Sequence, residues 1–164
     1  MIPFARRLAA SLALLLAILA GGASAQVPGP RPGWRVIETA LPYADLLPRL
    51  REAARAENMG LVTEAGPTEA AAGRGVTIPG NRVVGVFRND YAVRALGLSV
   101  AAMIEAPIRF YVTENGNGTG AALSWKTPGA VFAPYADEGG AELEALAAEL
   151  DAVFEAIAAR ATAE

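Results

Sequence analysis

Hydrophobic and polar residues change their spacing several times along the chain, and each change marks an element. Trp34-Arg35-Val36-Ile37-Glu38-Thr39 predicts a short strand, with Trp34, Val36 and Ile37 as its apolar members. Leu46, Leu47, Leu50, Ala53 and Ala54 then share one helical face. This predicts a helix from an Asp45 N-cap to about Asn58, with Pro48 in the first turn and Gly60 as the C′ residue. Leu61 to Ala65 reads as a second strand. Gly66 to Asn81 holds four glycines and two prolines. It predicts a long loop with one turn of helix at Thr68 to Ala72.

Arg82 to Arg88 predicts a strand, followed by a helix capped by Asn89 or Asp90 and running to about Ile104. Val93, Leu96, Val100 and Ile104 recur there at helical spacing. Pro107 closes that helix. Ile108, Phe110 and Val112 then alternate with Arg109, Tyr111 and Thr113, the pattern of a strand with one buried face. Asn115-Gly116-Asn117-Gly118 is a hairpin signal, and the return strand runs from Thr119 to Thr127. A connecting stretch, Ala130 to Tyr135, leads to a last helix over about Gly140 to Ala161. Leu143, Leu146, Leu150, Val153, Phe154 and Ile157 form its apolar stripe.

The predicted order is β-α-β-β-α-β-β-α. Paired hairpin strands beside several helices predict one α+β domain over residues 34–162, with a mainly antiparallel sheet of about five strands packed by helices.

The first 25 residues follow a different logic. Arg6 and Arg7 precede an apolar run from Leu8 to Ala20, broken only by Ser11, and Ala23 and Ala25 fit a small-residue cleavage site. The run is shorter than the roughly 20 residues of a membrane span. A signal peptide cut between Ala25 and Gln26 is therefore expected, giving a periplasmic or secreted protein with no stable membrane anchor after cleavage. Residues 26–33, QVPGPRPG, then form an extended leader rich in Pro and Gly.

Composition narrows the chemistry. The 164 residues include no His and no Cys. That excludes a Ser-His-Asp triad, a thiol nucleophile, Cys/His zinc sites and disulfides. Removing residues 1–25 takes away Arg6 and Arg7 and no acid, so the net charge of −3 becomes −5 over 139 residues. An acidic chain of this kind lacks the basic surface that nucleic acid requires. No metal and no cofactor is expected.

The segment Val83-Val84-Gly85-Val86-Phe87-Arg88-Asn89-Asp90 follows an amphipathic helix, a strand and a long loop, and precedes a helix and the hairpin strand opened by Pro107. In this order and spacing the chain resembles the family known as domain of unknown function 302, over about Trp34 to Pro134. The resemblance implies a compact α+β fold similar to the TATA-binding-protein type and a homodimer. It implies no activity, because none is established for the family. Many members carry Cys after the proline of the hairpin strand and Cys-Asn-Pro before the second helix. Here the residues are Ile108 and Arg88-Asn89-Asp90, so no thiol role carries over.

Two groups stand out as candidates for binding. Arg88 ends a strand, Asp90 caps the next helix and Arg109 begins another strand, so sheet pairing could gather them as an ion-pair network or an anion site. Tyr111, Trp125, Phe132 and Tyr135 could line a pocket between the sheet and the long loop, or serve as core. The acids of the last helix belong to its solvated face. Asn115 to Thr119 lacks the acidic ligands of a calcium loop. Lys126, the only lysine, and Ser124 share a strand face and suggest a Ser-Lys dyad only weakly. Gly73-Arg74-Gly75 lacks the strand-loop-helix setting of a phosphate site.

Together these features favour an exported, dimeric, non-enzymatic domain that binds a small molecule or a periplasmic protein. The ligand-binding residues are Arg88, Asp90, Arg109, Tyr111, Trp125 and Tyr135. The alternatives are an enzyme using carboxylate, Tyr or Arg groups, and a structural subunit of an envelope complex.

Overall fold

The computed structural model describes residues 27–116 and 118–163. The proposed signal segment lies outside them. The described elements run in the order β1 (Trp34–Thr39), α1 (Tyr43–Ala56), β2 (Gly60–Ala65), α2 (Thr68–Ala72), β3 (Asn81–Phe87), α3 (Asn89–Leu98), β4 (Ile108–Glu114), β5 (Ala121–Lys126), α4 (Pro128–Phe132) and α5 (Ala136–Thr162). Short 3-10 turns cover Ala102–Glu105 and Ala133–Tyr135. The sheet order is β1-β5-β4-β3-β2, and every pair is antiparallel. The expected α+β class, the five strands and their order are all present.

Residues opposite each other in a ladder share a face, so the register sorts the sheet into two surfaces. On one, Val84, Val86, Phe110, Val112, Leu123 and Trp125 are buried in a single core with Leu46 and Leu50 of α1, Ala95 of α3 and Leu146, Phe154 and Ile157 of α5. The three long helices thus pack on this side. The opposite side of the sheet is left open by them.

Several elements differ in detail from the sequence expectation. Helix α1 starts at Tyr43, so Pro48 lies inside it rather than in the first turn, and Asp45 contributes negative charge to that turn instead of capping it. The left-handed residue after α1 is Asn58, with φ of 58°, and Gly60 opens β2. Asn is among the few side chains that tolerate this region. Neither Asn89 nor Asp90 caps α3; the cap position is Arg88, and it offers no side-chain bond.

The largest correction concerns α3. It ends at Leu98, and Tyr91 and Ala95 form its buried side. Val93, Leu96, Val100 and Ile104, the residues of the apolar repeat, are between 49% and 79% exposed. The connection after β5 folds into α4, capped by the Thr127 side chain, which accepts from Ala130 N at 3.2 Å. Helix α5 begins four residues before Gly140, whose φ of 55° bends the backbone there. Its apolar stripe is otherwise as read, with Leu143, Leu146, Leu150, Phe154 and Ile157 buried.

Gly85 of β3 marks a close approach. A Cβ there would lie 2.1 Å from Thr63 Oγ1 and 2.9 Å from Pro107 Cγ. The missing side chain lets β2 and the start of β4 close over this point.

Candidate ligand site

The open face of the sheet reads as rows across the strands. The first row runs Trp34, Lys126, Arg109, Gly85, Thr63: Trp34 faces Lys126, Gly85 faces Arg109 and Thr63 faces Gly85. Extending the β4–β5 register by one residue from Phe110–Trp125 sets Arg109 beside Lys126. The second row is Val36, Ser124, Tyr111, Val83 and Ala65. The third is Glu38, Ala122, Thr113 and Asn81. Charge, apolar surface and polar groups are therefore layered along the strands.

A cavity of about 410 Å³ opens over these rows. Arg109, Lys126 and Trp34 line its charged end, Val83 and Tyr111 its middle, and Asn81 its far side. The backbone side of Trp125 and Phe110 forms part of the floor, because both rings point the other way and meet in the core with centroids 5.6 Å apart. Glu105 and Val131 complete the rim. The volume falls in the range of ordinary small-molecule sites.

Hydrogen bonds fix the polar groups around the cavity. Asn81 donates from Nδ2 to the Tyr111 hydroxyl oxygen. Tyr135 donates its hydroxyl to Glu105 Oε1 at 2.8 Å, and this bond to a carboxylate, with some burial and the charges of Glu105 and Glu138, raises the Tyr135 phenol above its usual range. The Arg31 guanidinium lies over the Trp34 ring, 5.4 Å from its centroid. Among the described residues, no carboxylate forms an ion pair with Arg109 or Lys126.

The six residues singled out from the sequence do not form one site. Arg109, Tyr111 and Trp125 meet at the cavity. Arg88 and Asp90 pair with each other instead, through bonds of 2.8 and 3.1 Å, on a different part of the surface. Arg88 also lies over the Tyr91 ring, 4.0 Å from its centroid. The guanidinium holds Asp90 below the usual carboxylate range, so this acid is a committed anion rather than a proton donor. Tyr135 is absent from the cavity wall and acts on it through Glu105.

Phe132 is buried and lines a separate apolar void of about 40 Å³ beside Tyr91 and Phe154, too small for a ligand. Ser124 is fully buried and donates to the Tyr111 carbonyl at 3.4 Å, which removes it from a dyad with the exposed Lys126. Ser99 ends α3, donating to Glu138 Oε2 at 2.5 Å and accepting from Ala102 N at 3.0 Å.

Trp34, Asn81 and Lys126 are the cavity residues that no single stretch of sequence brings together. Their signal lies in the strand registers, since Trp34 and Lys126 face each other across β1 and β5. Among the described residues no three acids cluster as a metal site. No described helix is long and apolar enough to cross a membrane.

The sequence profile of the family described as Domain of unknown function DUF302 matches residues 36–158. The chain belongs to the DUF302 family. Its fold is that of an uncharacterized conserved DUF302 protein from Bacillus stearothermophilus, whose crystal structure superposes with a TM-score of 0.69 at 17% identity, covering 80% of this chain and 99% of that one. No curated protein matches the sequence. In this member of the family, the open sheet face carries the cavity and the unpaired cations described above.

Proposed function

We propose that this DUF302 protein is an exported, non-enzymatic domain that binds a small molecule at the open face of its sheet. The observation that carries this reading is the cavity of about 410 Å³, walled by side chains from β1, β3, β4 and β5. Four strands contribute to one concavity, and the core beneath them holds its floor rigid. Such preformed walls lower the ordering cost that a ligand must meet. Export follows from the basic, apolar and small-residue sequence of residues 1–25.

Val83→Trp provides the test. Its side chain stands on the open face, opposite Tyr111, so the added indole fills the cavity without entering the core. Ligands that raise the melting temperature of the native protein should fail to do so with this variant, since stabilisation follows occupancy as RT ln(1 + [L]/Kd). Equal shifts in both proteins would place binding elsewhere and reject the site.

A dimer belongs to the same reading. Val93, Leu96, Val100 and Ile104 give each copy an uncovered apolar surface. A second copy presenting the same residues about a two-fold axis would bury it.

A further inference from the structure

We infer that the cavity takes a small organic anion with an apolar body, its charged head held between Arg109 and Lys126. This rests on the reading of the open face as a ligand site and adds the chemistry of the ligand.

The argument begins with like charges. Arg109 and Lys126 stand opposite each other on adjacent strands, one position beyond the Phe110–Trp125 pair, on the same face. Side chains in that relation lie about 5 Å apart at Cβ, and two cations there repel. No described carboxylate forms an ion pair with either. The chain uses its acids to pair other arginines, at Arg35–Glu155, Arg51–Glu64, Arg82–Glu69, Arg88–Asp90, Arg94–Glu149 and Arg160–Glu57. Of the described cations without an ion pair (Arg31, Arg49, Arg55, Arg74, Arg109 and Lys126), only Arg109 and Lys126 line the cavity.

Donors also prevail deeper in the site. The Tyr111 oxygen accepts from Asn81 Nδ2, which leaves its own hydroxyl hydrogen to donate. The one acid at the rim, Glu105, already accepts from Tyr135. The charged end therefore offers a guanidinium and an ammonium to a group that only accepts. A carboxylate is such a group.

Size and polarity then describe the rest of the ligand. One row further along the strands the cavity wall turns apolar, with Val83 beside Tyr111. The Trp34 indole faces Lys126 at the charged end. A chain or ring attached to the carboxylate would lie on Val83 and Tyr111 while its head met the cations.

Calorimetric titration of the purified protein with sodium octanoate, neutral octanamide and octylammonium tests this. Octanoate should bind saturably, octanamide at least about tenfold more weakly, and octylammonium more weakly still. Arg109→Gln and Lys126→Gln should each weaken octanoate by about tenfold to a hundredfold while leaving octanamide unchanged. Both side chains are exposed, so the variants keep the core. Equal affinity for octanoate and octanamide, both abolished by Val83→Trp, would overturn the anion assignment and leave the ligand site standing. Tighter binding of octylammonium would also overturn it, giving the head to Glu105. Failure of all three probes at millimolar concentration would overturn the anion assignment and the site together.

Discussion

The Phe110 and Phe154 rings stack with their centroids 4.6 Å apart and their planes 17° from parallel. This contact joins the middle of β4 to α5 and places the central strand of the sheet against the longest helix. Because both side chains are fully buried, Phe154→Ala removes an aromatic ring from closed space and leaves a void. The variant should lose about 3–5 kcal/mol of unfolding free energy. Urea denaturation followed by circular dichroism measures it, and a loss under about 1 kcal/mol would show that the site collapses around the smaller side chain.

Arg51 and Glu64 tie α1 to β2 with two parallel hydrogen bonds of 2.8 and 2.6 Å. The hydrogen bond to Arg51 holds the Glu64 carboxyl below the usual range. A carboxyl lowered in the folded state contributes stability that is complete above its unfolded range and is lost as pH falls through the folded value. Both side chains remain partly exposed, so solvent screening limits the gain to about 1 kcal/mol. Glu64→Gln should therefore unfold at slightly lower urea than the native protein at pH 7, and the gap should narrow as pH falls toward 3. A gap that stays constant across this range would assign the effect to packing rather than charge.

Val100 and Ile104 are the most exposed of the apolar residues after α3, at 77% and 79%. Replacing both with Asp leaves the core untouched, so the melting temperature of the monomer should change little. Sedimentation equilibrium at micromolar concentration should return a dimer for the native protein and a monomer for the double variant. A native protein that sediments as a monomer would remove the paired assembly, while a variant that remains dimeric would move the interface to another surface.

Gly85 has room for no side chain between Thr63 and Pro107. Gly85→Ala forces β2 or the start of β4 to shift, at a cost of about 1–3 kcal/mol. The strain falls next to Arg109, which faces Gly85 across the ladder. Octanoate affinity should therefore drop along with stability, whereas Phe154→Ala should lower stability with a smaller effect on affinity while the protein remains folded.

Strand β4 was legible in the sequence because it carries one buried and one open face, which alternate from Ile108 to Val112 before buried Thr113 breaks the pattern. The same alternation placed Arg109 and Tyr111 together on the open side. Helix α3 misled for an instructive reason. Apolar residues at helical spacing identify a face that avoids water, but they do not say which molecule covers it. Here small Ala95 and part-polar Tyr91 face the core, and the larger aliphatic residues face out.

The site was only half legible, for reasons of distance along the chain. Arg88 and Asp90 are two residues apart and satisfy each other locally, which draws Arg88 away from Arg109. Trp34 and Lys126 are separated by most of the domain and meet only through the β1–β5 register. No local pattern contains that information, because it is held in the pairing of two edges.

That same pairing governs how the molecule can be assembled. Strand β1 is bonded to β5 alone, and its Thr39 lies opposite Ala121, 82 positions later. The first strand made must therefore wait for the last. Until residues 121–126 emerge, β1 has no neighbour to complete its ladder, and one wall of the cavity is missing. Loops of that length close slowly compared with helices or hairpins. Joining of the two distant ends should thus be a late event in folding, and binding at the open face should report on its completion.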